Sequence, residues 1–107
     1  MPRKLRLSDA LASQAAERLR EWGLCIRSQR VAQHIRASDL CARMDISLPT
    51  LRRLEQGDPG ASAASYLNAL LILGVFDVAA PPLPTAYIAG TPSARAPGIP
   101  ANGDDYF

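Results

Sequence analysis

The chain has 107 residues, 48% of them hydrophobic and 6% aromatic, which suits one small domain with a mostly aliphatic core. Residues 1–60 carry eleven Lys and Arg against seven Asp and Glu, whereas residues 61–107 carry one Arg against three Asp. An anionic partner is therefore expected at the basic N-terminal part of the chain. No apolar run reaches the roughly 18 residues that a membrane span needs, so no membrane association is expected.

Cysteine and histidine are too scarce for most site chemistry. Cys25 and Cys41 cannot form a disulfide framework or a zinc site, and we expect two reduced thiols in a cytoplasmic protein. Redox sensing and a disulfide are the alternatives. His34 is the only histidine, and no glycine-rich phosphate loop or Ser/His/Asp set occurs. Neither enzymatic activity nor a cofactor or metal is expected.

The first predicted helix follows a short basic arm over residues 1–7. Ser8 is a suitable N-cap, and no proline interrupts the chain from there to about Val31. The apolar residues of this helix recur at three- and four-residue steps and form one face. They are Leu11, Ala15, Leu19, Trp22 and Ile26.

Two aromatic residues, Trp22 of this helix and Tyr66 of the predicted fourth helix, are expected in the core or in a dimer interface rather than against a ligand.

Two short helices are predicted next. The second helix is expected over residues 37–44 and ends at Asp45, because Asp tolerates the left-handed conformation better than most residues. Ser47 can cap the third helix, whose first turn accommodates Pro49 and whose end is marked by Gly57. The residues expected to face inward are Leu40, Cys41 and Met44 on the second helix, and Ile46, Leu51 and Leu54 on the third.

A fourth helix and a proline-rich tail complete the chain. Ser62 can cap the helix and Gly74 ends it. Residues 79–107 hold six of the nine prolines and lack helical periodicity, which predicts a flexible or extended tail. Within it, residues 85–89 could pair as a short strand if a partner edge exists. The apolar face of the fourth helix is predicted to be Tyr66, Leu67, Leu70, Leu71 and Leu73.

The second and third helices, joined by the segment MDIS, can cross steeply in the helix-turn-helix arrangement. The outer face of the third helix begins with small uncharged side chains, and its positive N-terminal end points the same way. Arg52 and Arg53 follow and could reach phosphates or guanine edges. On spacing alone, an amphipathic core helix with a solvated outer face fits equally well.

Three stretches within residues 23–74 read IRSQR, SDLCARMDISLPTLRRLEQGDPG and YLNALLILG. Together they resemble the Xre-type helix-turn-helix domain of phage repressors and antitoxin regulators, in particular the HipB-like group. The resemblance implies an all-α, phage-repressor-like domain of four to five short helices over residues 8–78. It also implies a homodimer that represses transcription at a double-stranded DNA operator. The alternative is a helical protein–protein adaptor that has lost DNA binding.

The segment GDPG and the following YLNALLILG point within that family to the antitoxin of a toxin–antitoxin pair. Such a protein would regulate its own operon and bind a cognate toxin. The chain ends in DDYF, two aromatic residues after two carboxylates. This end could bind a protein partner, fold back on the DNA-binding face, or merely keep the chain in solution.

The resemblance also assigns roles to individual residues. Base contacts fall on Leu48, Pro49 and Arg53. The predicted phosphate contacts are Arg36, Ser47, Thr50, Arg52 and Gln56. A structural ion pair is expected between Arg30 and Glu55.

This sequence departs from the family pattern at three places. Ala37 stands where the family opens the second helix with Gln, and Arg36 stands where it has a Thr or Ser cap. Asp45 replaces the usual Gly of the tight turn. Leu48 and Pro49 lack hydrogen-bonding groups, so they can touch a thymine methyl but cannot read a donor and acceptor pattern.

Overall fold

A computed structural model describes residues 12–90. This part of the chain contains no strand and forms six helical segments: α1 (Ser13–Ala32), α2 (Ala37–Met44), α3 (Leu48–Glu55), α4 (Ala63–Ile72), α5 (Phe76–Ala79) and α6 (Thr85–Ala89). The long helix α1 packs against α3 and α4, α2 packs against the same two helices, and α5 packs on α4. The prediction of an all-α fold is confirmed.

One aliphatic core joins the first four helices. Tyr66 is the largest fully buried side chain, and α3 contributes Leu51 and Leu54, which have almost no exposed surface. Ile46 and Trp22 pack against this core while remaining partly exposed. The buried apolar residues of the described part are Ile26, Leu40, Cys41, Met44, Leu51, Leu54, Tyr66, Ala69, Leu70 and Leu73.

Helices α1 to α4 all end in the same hydrogen-bonded turn. Each has one residue in the left-handed conformation just after it, namely His34, Asp45, Gly57 and Gly74. The N–H of the following residue donates to the carbonyl five positions earlier at 3.0 Å in all four turns. This is the Schellman motif, which satisfies the last carbonyls of a helix. The predicted helix ends at Asp45, Gly57 and Gly74 are confirmed.

The backbone of α1 touches the C-terminal turn of α3. A Cβ atom placed on Gly23 would lie 2.6 Å from the carbonyl oxygen of Leu54 and 2.7 Å from that of Glu55. A Cβ atom on Gly57 would lie 2.7 Å from the Cα of Arg20, and Gly57 has a φ of +74°. The two helices can therefore approach this closely only because glycine occupies both positions.

Helix α5 is tied back to α1 through Trp22. The indole Nε1 of Trp22 donates to the carbonyl oxygen of Ala79 at 3.2 Å, and its ring packs at a tilt against Tyr66 with centroids 5.9 Å apart. Gln33 makes a second link, since its Nε2 donates to the carbonyl oxygen of Leu73 at 2.8 Å. These contacts close the domain around the C-terminal end of α4.

Two details of the predicted apolar faces are wrong. Ala15 is exposed, because Leu19 is the first residue of α1 that packs against the core. Leu71 has 60% of its surface exposed, since successive residues turn by about 100° and the inward positions of α4 are taken by Ala69 and Leu70. Helix α1 itself begins at Ser13, and the predicted cap at position 8 lies outside the described residues.

The segment Thr85–Ala89 is helical, so its prediction as a strand is wrong. Pro84 stands at its N-cap with a φ of −57°, and the N–H of Tyr87 donates to the Pro84 carbonyl at 2.9 Å. No strand within residues 12–90 offers an edge with which it could pair. Residues 1–11 and 91–107, including the basic arm and the DDYF end, lie outside the described residues.

Replacing Gly23 by Ala tests the close crossing of α1 and α3. Helix propensity alone predicts that Ala stabilises a helix interior by about 1 kcal/mol relative to Gly. The clash with the α3 carbonyls predicts the opposite, a loss of about 1–3 kcal/mol from overpacking. We expect the loss to dominate in urea unfolding followed by circular dichroism. Ser28→Ala, at an exposed position of the same helix, should change the stability only by tenths of a kcal/mol.

Tyr66 makes the domain sensitive to alkaline pH. Burial, together with the nearby Asp58 carboxylate, raises the pKa of Tyr66 to about 12. In the unfolded chain a tyrosine ionises near its ordinary pKa of about 10. The unfolded state thus loses this proton first, and the free energy of unfolding should fall as the pH rises from about 10 to about 12. Tyr66→Phe should remove this decline, whereas Tyr87→Phe, at an exposed position, should retain it.

Candidate nucleic-acid interface

Helix α3 presents one continuous face to solvent. Leu51 and Leu54 anchor the opposite face in the core, as predicted. Ile46, which lies just before the helix, also packs against the core, as predicted. On the exposed face, two rows with four-residue spacing lie side by side. The first row consists of Leu48, Arg52 and Gln56, and the second of Pro49 and Arg53. All three residues predicted to contact bases therefore share this face.

The N-terminal end of α3 has little capacity left for a phosphate. The hydroxyl oxygen of Ser47 accepts a hydrogen bond from the N–H of Thr50 at 3.3 Å. The hydroxyl groups of Ser47 and Thr50 are also hydrogen-bonded to each other at 2.9 Å. The N–H of Leu51 donates to the Ser47 carbonyl, and Pro49 has no N–H. The donors of this turn without a partner in residues 12–90 are the N–H of Leu48 and one of the two hydroxyl hydrogens. Leu48 and Pro49 add exposed hydrocarbon beside them.

The N-terminal end of α2 offers more to an anion. Arg36 is the N-cap residue, and its side chain does not cap the helix. Its carbonyl accepts the N–H groups of Asp39 and Leu40, while those of Ala37 and Ser38 have no partner among residues 12–90. The Arg36 side chain is 82% exposed, and its Nε contacts Oδ2 of Asp39 across 3.3 Å. Two free N–H groups and an arginine therefore stand together at the start of α2.

Arg53 is held by a carboxylate from the loop after α3. Its Nε donates to Oδ2 of Asp58 at 2.9 Å. The other oxygen of Asp58 accepts the N–H of Gly60 at 2.7 Å. The hydrogen bond from Gly60 has the larger effect and the one from Arg53 adds to it, and both lower the pKa of Asp58 below its ordinary value. The carboxylate is therefore ionised at neutral pH. Sequence reasoning did not identify this pair, although Asp58 and Gly60 both stand in the segment GDPG.

The predicted phosphate contacts are not gathered at one place. Ser47 and Thr50 lie at the N-terminal end of α3, and Gln56 caps its other end, about 12 Å away for a helix of eight residues. Arg52 lies between them on the exposed face and makes no ion pair within the described residues. Arg36 belongs to α2. A DNA backbone would have to pass across both helices to meet all five.

The charges around α2 and α3 nearly cancel. Residues 35–60 contain four arginines and four carboxylates, but Glu55 is buried against Arg30 of α1, so the remaining charges carry an excess of one positive charge. Arg36 is paired with Asp39, and Arg53 with Asp58, and the second pair is the less exposed one, with side chains 50% and 35% exposed against 82% and 50%. The net positive charge of the N-terminal half therefore resides mainly elsewhere, on α1 and the basic arm.

Arg30 and Glu55 form a largely buried ion pair. Arg30 Nε donates to Glu55 at 2.7 Å and Nη2 donates to its other oxygen at 3.3 Å, while only 13% and 8% of the two side chains are exposed. The hydrogen bond to Glu55 raises the pKa of Arg30, so it stays charged. Nη1 of Arg30 also donates to the carbonyl of Ile35 at 3.2 Å. One side chain thus connects α1, the turn before α2, and the end of α3.

Comparison with protein-family models, with curated proteins and with solved structures finds no match for this chain. In the part that the structure describes, no helix has both the length and the apolar character to cross a membrane. The same residues bring together no group of three or more His, Cys, Asp or Glu side chains that could hold a metal ion. Cys25 and Cys41 are both free thiols.

Arg30→Ala should destabilise the domain by about 3–5 kcal/mol, because it leaves the Glu55 carboxylate buried without a partner. Thermal or urea unfolding measures the loss. Arg18→Ala is the matched control: Arg18 also pairs with a glutamate on α1, at 3.2 Å, but both side chains are mostly exposed. Its effect should stay below about 1 kcal/mol. Equal stability of the two variants would show that the Arg30 pair does not hold the helices together.

Proposed function

We propose that this protein binds double-stranded DNA through α2 and α3 and represses transcription. The observation that carries the proposal is the exposure of one whole face of α3, while its other face is anchored in the core. Apolar side chains lie at the N-terminal end of that face, and arginines follow about one turn later. The arrangement fits a recognition helix whose N-terminal residues approach the base edges in the major groove.

Each part of the surface has a role in this proposal. Leu48 and Pro49 contact thymine methyl groups, and Arg53 reads a guanine. Arg36 and the two free N–H groups at the start of α2 bind one phosphate, and Arg52 binds another. The hydrocarbon character of the α3 end matches the close approach that a methyl contact requires.

The finer proposal is a homodimer that acts as a cytoplasmic antitoxin. A two-fold dimer is supported by large apolar side chains that the single chain leaves exposed, namely Leu24, Val31, Leu71 and Val78. The antitoxin role, with a cognate toxin as partner and its own operon as target, is supported by the resemblance in the GDPG segment and α4. Light scattering of the purified chain measures the dimer directly.

The alternative function is that of a protein–protein adaptor, and the charge balance favours it. A nearly neutral surface around α2 and α3 attracts the DNA backbone less than a strongly basic one does. Exposed apolar residues over α5 and α6, such as Val78, Tyr87 and Ile88, are the kind of side chains that protein partners cover. An adaptor would bind no duplex selectively, which separates the two functions in one experiment.

Duplexes selected from a random library, together with the region upstream of the gene, test the proposal by fluorescence anisotropy. We expect selective binding, with half-sites about 10–10.5 bp apart or a multiple of that spacing. Arg52→Ala should weaken binding to all duplexes alike and reduce the salt slope by about 1. Pro49→Ala should alter the preference for thymine instead, since it removes an apolar contact.

The control is Arg27→Ala, which removes an exposed positive charge from α1 rather than from the proposed surface. It should leave sequence preference intact and change the salt slope less than Arg52→Ala does. Equal affinity of the wild-type chain for the selected duplex and for a random duplex would refute the repressor function. It would leave the adaptor as the better explanation.

A further inference from the structure

The pair formed by Arg53 and Asp58 leaves one edge of the guanidinium open. Asp58 contacts Nε, and no residue within 12–90 makes a hydrogen bond with Nη1 or Nη2 of Arg53. Those two groups are parallel donors, and an arginine that recognises guanine uses two such donors toward O6 and N7. The carboxylate thus occupies the side of Arg53 that a base contact does not need.

Asp58 is itself firmly held. Its own N–H donates to the carbonyl of Arg53 at 3.0 Å in the turn that ends α3. Its carbonyl accepts the hydroxyl of Tyr66 at 2.7 Å, and Tyr66 is 1% exposed. Its side chain is fixed by the N–H of Gly60. A support held by three hydrogen bonds, one of them from the core residue Tyr66, keeps Arg53 in fewer rotamers than an exposed arginine would otherwise sample.

Gly60 leaves room for this arrangement. A Cβ atom on Gly60 would lie 3.2 Å from Oδ1 of Asp58 and 3.3 Å from Nη2 of Arg53. Both distances are shorter than an ordinary contact, so a side chain here would press on the pair. The loop after α3 is thus shaped around the guanidinium of Arg53 and not only around the end of the helix.

We infer that Asp58 is a positioning residue that presents Arg53 to one guanine in each half-site of the DNA. This inference rests on the proposed DNA-binding function. Holding Arg53 in advance reduces the ordering entropy that binding must overcome. The carboxylate also repels the phosphate backbone of any duplex, and only DNA that carries the guanine regains affinity through Arg53. Asp58 therefore raises selectivity while weakening non-specific binding.

The experiment compares the wild type with Asp58→Asn on the selected duplex and on all single base-pair changes of it. We expect the wild type to prefer one G·C pair by at least about tenfold, and the variant to lose most of that preference. Binding of Asp58→Asn to random duplex should become tighter, because a negative charge is removed. Arg53→Ala should lose the preference at the same base pair, and the double variant should be no less selective than Arg53→Ala alone.

Two further variants serve as controls. Asp39→Asn removes the same charge from the partner of Arg36, so it should tighten non-specific binding without changing any base preference. Asp58→Ser keeps a side-chain oxygen that can accept the N–H of Gly60, but it is too short to hold Arg53. It should reproduce the loss of preference, and thermal unfolding checks that it is folded.

The inference is overturned if folded Asp58→Asn or Asp58→Ser keeps the full preference for guanine. It is also overturned if the Asp58 variants lose the preference at one base pair and Arg53→Ala loses it at a different one. A wild-type chain without any sequence preference contradicts the proposed function instead. The two failures are therefore distinguishable from the wild-type data alone.

Discussion

The arrangement of the domain depends on the contact between α1 and the turn that ends α3. Two backbones meet there without intervening side chains, because both Gly23 and Gly57 lack a Cβ atom. About two helical turns further along α1, the buried pair of Arg30 and Glu55 joins the same two helices. A close backbone contact restricts the distance between the helices, and an ion pair with two hydrogen bonds restricts their rotation relative to each other. Together they determine which face of α3 remains outside.

The ends of the helices could be predicted because their signals are local. Ser47 and Ser62 each cap the helix that follows, and Asp45 adopts the left-handed conformation expected of it. A short polar side chain before a helix, or a residue that tolerates positive φ after it, acts within a few positions of the backbone it serves. For the same reason the prediction of all-α structure from α2 to α4 is correct almost to the residue.

The contacts that could not be predicted depend on tertiary structure. Gly23 looks like a weak point in a long helix until the carbonyls of α3 are placed against it. Leu71 has the right spacing for the core, but the narrow buried face of α4 is filled by its neighbours. His34 adopts a φ of 58°, although it carries a Cβ atom and a bulky ring. For Gly23 and Leu71 the packing of a neighbouring element decides the outcome, and no local pattern reports it.

The pairing of arginines with carboxylates around α2 and α3 has a consequence for any partner. A nearly neutral surface gains little from the release of counterions, the term that dominates non-specific affinity for DNA. For the DNA binding proposed above, the binding energy must come from contacts that depend on geometry, such as methyl groups against Leu48 or parallel donors from Arg53. In that proposal a weak electrostatic attraction is compensated by a smaller tendency to occupy wrong sites.

The loop from Gly57 to Gly60 connects stability with recognition. Gly57 lies against the backbone of α1, while the next residue, Asp58, holds Arg53 on the outer face of α3. The hydroxyl of Tyr66, a core residue, donates to the carbonyl oxygen of Asp58. A displacement of α1 relative to α3 would therefore move the carboxylate and, with it, the arginine. Because these residues are adjacent in sequence and share one Schellman turn, the packing of the core determines how the exposed arginine is presented.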